Sequence, residues 1–202
     1  MELIEKKVID YINEVDALTP APGGGSVASL VGTLGVCLAK MLAHFSTNKK
    51  KFKEASVKEQ EKFVLAFKEL DYYKDMLIKG IDDDAISYNA VTAAYKKGDE
   101  EEIQKALKYS ALVAYEMQEA SYKALYFCEK LINLGNKNLY SDLISAAILL
   151  AACNEMASLN VIANVNCMSG EEDKNKYLTS SKDYVLKSKQ LKNRILRSIN
   201  SK

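Results

Sequence analysis

Ala28, Gly32, Gly35, Ala39 and Ala43 recur at steps of three and four, and no other feature of the 202-residue chain restricts its fold as much. On a helix they form one stripe almost free of side chains, along which a second helix can approach unusually closely. A helix with that surface belongs in the middle of an assembly of helices. It follows Pro22-Gly23-Gly24-Gly25-Ser26, the one place where glycines stand side by side. Glycine frees the backbone for positive φ or for close approach by another group. Ser26 is placed as a helix N-cap. A glycine-rich turn opening a helix also presents unpaired N–H groups that can receive an anion or an electron-rich oxygen. Taken alone, the segment reads equally well as a tight turn between helices.

The rest of the chain agrees with a helical fold. Two prolines, no tryptophan and abundant Ala, Leu, Lys and Glu favour long helices over strands. A first helix is expected from about Glu2 to Asp16, ending before Thr19-Pro20, and a second from Ser26 to about Ser46. A very long third helix, Glu54 to Tyr95, carries the stripe Phe63, Phe67, Leu70, Leu77, Ile81, Ala85, Tyr88 and Tyr95. Lys97-Gly98-Asp99 ends it, and Asp99 with Glu102 resembles a capping box opening a fourth helix that reaches about Leu134. Gly135-Asn136 makes the next turn. A strongly apolar fifth helix then covers Leu139 to Asn166, and a basic sixth runs from Glu171 to Ser198. The expectation is an all-α antiparallel bundle of five to six long helices in one domain, residues 1–202, with its core in 3–170.

Charge is nearly balanced, 28 basic against 27 acidic residues, so neither nucleic acid nor an acidic membrane is expected as a partner. Cys37, Cys128, Cys153 and Cys167 lack metal-type spacing, and one histidine excludes a His-rich metal site. The charged amphipathic start, Glu2 to Lys7, is unlike a signal peptide. Ser26 to Phe45 contains Lys40 and His44, which favours a buried helix over a membrane span. A cytoplasmic protein is expected. The apolar second and fifth helices exceed what a surface helix needs, so a tightly packed or intertwined homodimer is expected as well.

Several polar residues interrupt this pattern. Within Asp82-Asp83-Asp84, Asp84 lies three after Ile81 and four before Tyr88, and so projects from the apolar stripe. Asp82 is directed roughly the other way, in line with Ile86 and Asn89. Burying a carboxylate raises its pKa, which suits proton transfer near neutral pH. On the fifth helix Asp142, Ser145, Leu149, Ala152, Met156 and Asn160 share one face. Asp142 reads either as a first-turn acid complementing the helix dipole or as a site residue. Asn160 reads as a partner for a neighbouring helix or a ligand. Lys40 and His44 form an i,i+4 pair of structural character.

Pro20-Ala21-Pro22-Gly23-Gly24-Gly25-Ser26-Val27-Ala28, then Asp82-x-Asp84-Ala85 with Tyr88-Asn89, Gly135-Asn136, Ser141-Asp142 and Asn160-Val161, resembles the cyclodeaminase/cyclohydrolase family of folate enzymes. That family includes the C-terminal half of formiminotransferase-cyclodeaminase and free-standing methenyltetrahydrofolate cyclohydrolases. The resemblance spans about residues 3 to 170. Val113-Ala114 stands where the family usually has Val-Pro, and Asn48, Lys50 and Phe52 stand near its Gly-Lys-x-x-aromatic segment. It implies a helical dimer with a folate site where helices and subunits meet, and Asp84 as the catalytic acid. Gly23, Gly24, Gly25, Ser26, Asp82, Tyr88, Asp142 and Asn160 are the expected pocket residues, with no metal or cofactor beyond the folate substrate. A chain of this length leaves no room for an attached formiminotransferase, which favours hydrolysis of 5,10-methenyltetrahydrofolate. Cyclodeamination of formiminotetrahydrofolate, with release of ammonia, and a non-catalytic folate-binding scaffold are the alternatives.

Overall fold

A computed structural model describes residues 2–201, and no strand occurs among them. A 3₁₀ turn, Leu3–Glu5, and α1, Val8–Val15, make an N-terminal strap; then come α2, Gly24–Ser46, and a short α3, Lys50–Lys53. The long elements α4, Val57–Lys97, α5, Glu100–Leu131, α6, Tyr140–Asn166, and α7, Glu171–Asn200, complete the chain. The expected single first helix is therefore broken: Lys6 and Lys7 are extended. The Asp82 carboxylate accepts the backbone N–H groups of Leu3 (2.5 Å) and Ile4 (3.4 Å), which fastens the start of the strap to α4.

The small-residue stripe does what its composition requires. α2 lies between α4 and α6, with α5 packed behind both and α7 laid over α5 and α6. Ala28, Gly32, Gly35, Ala39 and Ala43 are all buried. A Cβ at Gly32 would stand 2.7 Å from Cys153 Sγ, and one at Gly35 3.1 Å from the Ala146 carbonyl oxygen. These two contacts show that α6 runs antiparallel to α2 at close range. Along α4, Phe63, Leu70, Leu77 and Ile81 enter the core, but Tyr88 and Tyr95 do not. At 41 residues α4 is about 60 Å long and outruns α2, so the end of its stripe lies beyond the cover α2 gives.

The helix ends follow from specific side chains. Ser56 and Glu59 form a reciprocal capping box at the start of α4, and Gly98 (φ 72°) ends it in the left-handed region. Asp99 accepts from the N–H groups of Glu101 and Glu102, but Glu102 turns back to Lys97 (2.8 Å) instead of closing a box. Lys40 pairs with Asp71 and lies over the Phe67 ring, whose edge contact with His44 gives both residues structural work. α2 and the stretch Lys137–Asn166 are long and apolar enough to cross a membrane, yet only about half of each (56% and 50%) is buried within the bundle.

Candidate active site

The glycine segment and the acidic triplet meet, though not in the way the loop alone implies. α2 begins at Gly24 with Gly23 as its N-cap, so Ser26 is inside the first turn and caps nothing. None of Gly23, Gly24 and Gly25 takes a positive φ. At Gly25 the use is close approach. A Cβ at Gly25 would lie 2.0 Å from Asp84 Oδ1 and 2.5 Å from its Cγ, so only glycine admits the carboxylate. The Ser26 N–H donates to Asp84 Oδ2 at 2.9 Å. The anion received by the helix N-terminus is thus the protein's own carboxylate, supplied by α4.

The three acids of α4 serve three different partners. Asp82 holds the strap, Asp83 pairs with Lys79 (3.2 Å), and Asp84 holds the start of α2. Burial pushes the Asp84 carboxyl above its ordinary range, and the Ser26 N–H pulls back less strongly. No hydrogen bond engages Asp84 Oδ1 among the described residues, leaving one oxygen free to take or give a proton.

Tyr11 joins this group without having been marked by any motif. Its hydroxyl lies 2.9 Å from Ser26 Oγ, and Ser26 is fully buried. Burial raises the Tyr11 pKa, the Ser26 bond lowers it, and the nearby Asp84 and Asp82 charges raise it further. The contact bridges fifteen residues across the proline-glycine turn, and nothing in the local pattern of α1 distinguishes Tyr11 from its apolar neighbours. Beside it an apolar pocket of about 390 Å³ lies between the strap, Val27 and Leu30 of α2, and Ile81 of α4.

The remaining expected residues divide by position. Tyr88, one turn beyond Asp84, is 42% exposed on the same face of α4. Because α6 is antiparallel to α2, Asn160 stands level with the first turn of α2; its side chain donates to the Met156 carbonyl of its own helix (3.1 Å). Asp142 is eighteen residues earlier on α6, about 27 Å away along the axis. Within one chain it does not join Asp84. Asp82 does lie beside the site, but its carboxylate is committed to the strap amides.

Comparison with known proteins places the chain among folate enzymes of the same fold. A family model described as formiminotransferase-cyclodeaminase matches residues 7–183. The methenyltetrahydrofolate cyclohydrolase of Methylorubrum extorquens is 27% identical over 201 residues, which cover 95% of each chain. The formimidoyltransferase-cyclodeaminase of Mus musculus is 27% identical over 183 residues, and the chain spans only 33% of that protein's length. The crystal structure of formiminotetrahydrofolate cyclodeaminase from Thermotoga maritima superposes with a TM-score of 0.90 at 26% identity, covering 99% of this chain and 98% of that one.

Proposed function

The chain belongs to the formiminotransferase-cyclodeaminase family, and from that premise we propose that it hydrolyses 5,10-methenyltetrahydrofolate to 10-formyltetrahydrofolate. The observation that carries this reading is the Asp84 carboxylate, held through one oxygen at the N-terminus of α2 with the other oxygen free. The substrate is an amidinium cation. A carboxylate beside it stabilises the charge and takes a proton from the attacking water. The resulting tetrahedral carbon then releases N5, which takes up a proton, and the formyl group stays on N10. Similarity to a cyclohydrolase along 95% of both chains supports this reaction.

Cyclodeamination of formiminotetrahydrofolate is the second reading, favoured by the close match to the Thermotoga protein. There N10 attacks the formimino carbon and ammonia leaves, so Asp84 must act as an acid. Its raised pKa is compatible with either role. The two assign opposite pH limbs to the same group. Hydrolysis gains rate as pH rises through the Asp84 pKa, whereas acid-dependent deamination loses it. Loss of methenyltetrahydrofolate absorbance, corrected for the uncatalysed rate, together with ammonia release from formiminotetrahydrofolate, decides between them. If neither substrate turns over, a non-catalytic folate-binding role takes their place.

The active form in this proposal is a cytoplasmic homodimer. Val8, Ile9, Ile12 and Val15 of α1, Leu34 of α2, and Ile148 and Leu159 of α6 are large apolar side chains left exposed by one chain. The shared α6 face has Asp142 at one end and Asn160 at the other. A second copy placed antiparallel on it would bring Asp142 of the partner subunit toward the Asn160 end, where Asp84 lies. Gly23, Gly24, Gly25, Ser26 and Tyr88 complete the proposed pocket wall. Nearby lysines attract the acidic folate tail without defining a site.

A further inference from the structure

We propose that Tyr11 is a positioning residue for Asp84: its hydroxyl ties the N-terminal strap to Ser26, and its buried ring keeps water from the start of α2 where the Asp84 carboxylate is held. The proposal deepens the reading of Asp84 as the catalytic group and rests on it.

The strap is attached by very little. Tyr11 is the one buried residue of α1, while Val8 is 77% and Ile12 54% exposed. Lys6 and Glu14 pair with each other, closing the strap on itself. Its side-chain and backbone anchors to the bundle are the Asp82 carboxylate, through Leu3 and Ile4, and Ser26, through Tyr11. Both anchors converge on the same turn of α4 and the first turn of α2. Ser26 is the common element. Its Oγ meets Tyr11 and its N–H holds Asp84, so strap and carboxylate are joined through one fully buried residue. The uncharged phenol adds a hydrogen-bonding group beside Asp84 without adding a charge.

Few charges complicate the test. The ionisable groups around Asp84 are Tyr11 of the strap, whose Lys6 and Glu14 pair with each other, and Asp82 and Tyr88 on α4, with Asp83 paired to Lys79. α2 has no ionisable residue from Gly24 to Val36. α5 meets this stretch of α4 through Ser110, bonded to Ser87, and through Val113 and Met117, while its Tyr109 and Glu116 act on Lys79.

The experiment uses the full chain with Tyr11→Phe and Tyr11→Ala. Tyr11→Phe keeps the ring and loses the hydroxyl; kcat should fall about three- to tenfold with KM within about twofold. Tyr11→Ala opens the cover, and kcat should fall about 100-fold, the scale expected when a catalytic group is displaced by about an ångström. Carbon-13 NMR of aspartate-labelled protein, with Asp84→Asn to assign the signal, supplies a readout independent of turnover. The Asp84 midpoint should move down toward the ordinary range in Tyr11→Ala and stay in place in Tyr11→Phe. Unchanged kcat and midpoint in Tyr11→Ala would overturn the proposal, as would a rise in KM alone. If Tyr11→Ala does not fold, Tyr11→Phe and Ser26→Ala decide it by the kcat-against-KM split. If the parent turns over no folate, the proposed function fails, while the titration still reports whether Tyr11 sets the environment of Asp84.

Discussion

Asp84 combines two demands that oppose each other. Its chemistry requires a carboxylate sheltered from water, and sheltering a charge costs stability. Burial raises its pKa in the folded protein, so the folded state holds the proton more tightly than the unfolded chain. Stability contributed at this position therefore declines as pH rises from the ordinary aspartate range through the raised Asp84 value. Asp84→Asn keeps an oxygen to accept the Ser26 N–H and removes the charge. It should abolish turnover yet raise the melting temperature by a few degrees near pH 8, at about 2–4 °C per kcal/mol for a chain of this size. Near pH 3, where both states are protonated, the gain should vanish. Scanning calorimetry of parent and variant at the two pH values checks the sign, and a stability gain confined to acid would contradict it. Gly25 sets a second residue-scale limit. Gly25→Ala places a methyl group where Asp84 Oδ1 now lies, and should reduce kcat about 100-fold or more while leaving helix content by circular dichroism unchanged.

Between elements, α2 packs closely on α6. Gly32 faces Cys153, whose sulfur occupies the space a side chain at position 32 would need. Gly32→Ala should destabilise by about 1–3 kcal/mol through overpacking, reduced by the roughly 1 kcal/mol advantage of alanine over glycine in a helix. Cys153→Ala alone leaves a small cavity. Combined, the two changes should recover much of the Gly32→Ala loss, because the new methyl group moves into the space vacated by the sulfur. Urea unfolding of all four proteins gives the coupling, and strict additivity would contradict direct contact. A close neighbour for α2 was legible in the sequence because Gly32, Gly35 and Ala39 keep a helical period that has few other uses; that the neighbour is α6 was not. Asp84 was legible for the same reason, as an acid on an apolar stripe. Ser26 was misplaced as an N-cap because the group that caps α2 comes from α4, a contact 58 residues long that local pattern does not encode. Tyr11 was missed because its role depends on how the proline-glycine turn returns the chain.

At the scale of the whole molecule, about half of the residues in the most apolar stretches of α2 and α6 are fully buried by their own chain. Exposed leucine, isoleucine and valine side chains on α1, α2 and α6 exceed the isolated apolar residues that ordinary surfaces carry. A second copy is the occupant that also resolves the position of Asp142. Its own α6 separates it from the Asn160 end by about 27 Å, and a two-fold axis crossing the middle of that helix exchanges the two ends. Light scattering should therefore give twice the chain mass. Leu34→Asp, which sets a charge on the exposed face of α2 away from Asp84, should yield monomers that keep the helical signal and lose activity. Mixing decides whether the site is shared between subunits. An Asp84→Asn protein and an Asp142→Asn protein, each inactive alone, should regain about a quarter of the parent activity when refolded together in equal amounts, because about half of the dimers are mixed and each mixed dimer assembles one of its two sites with both aspartates. Mixtures no more active than their components would overturn a site shared between subunits.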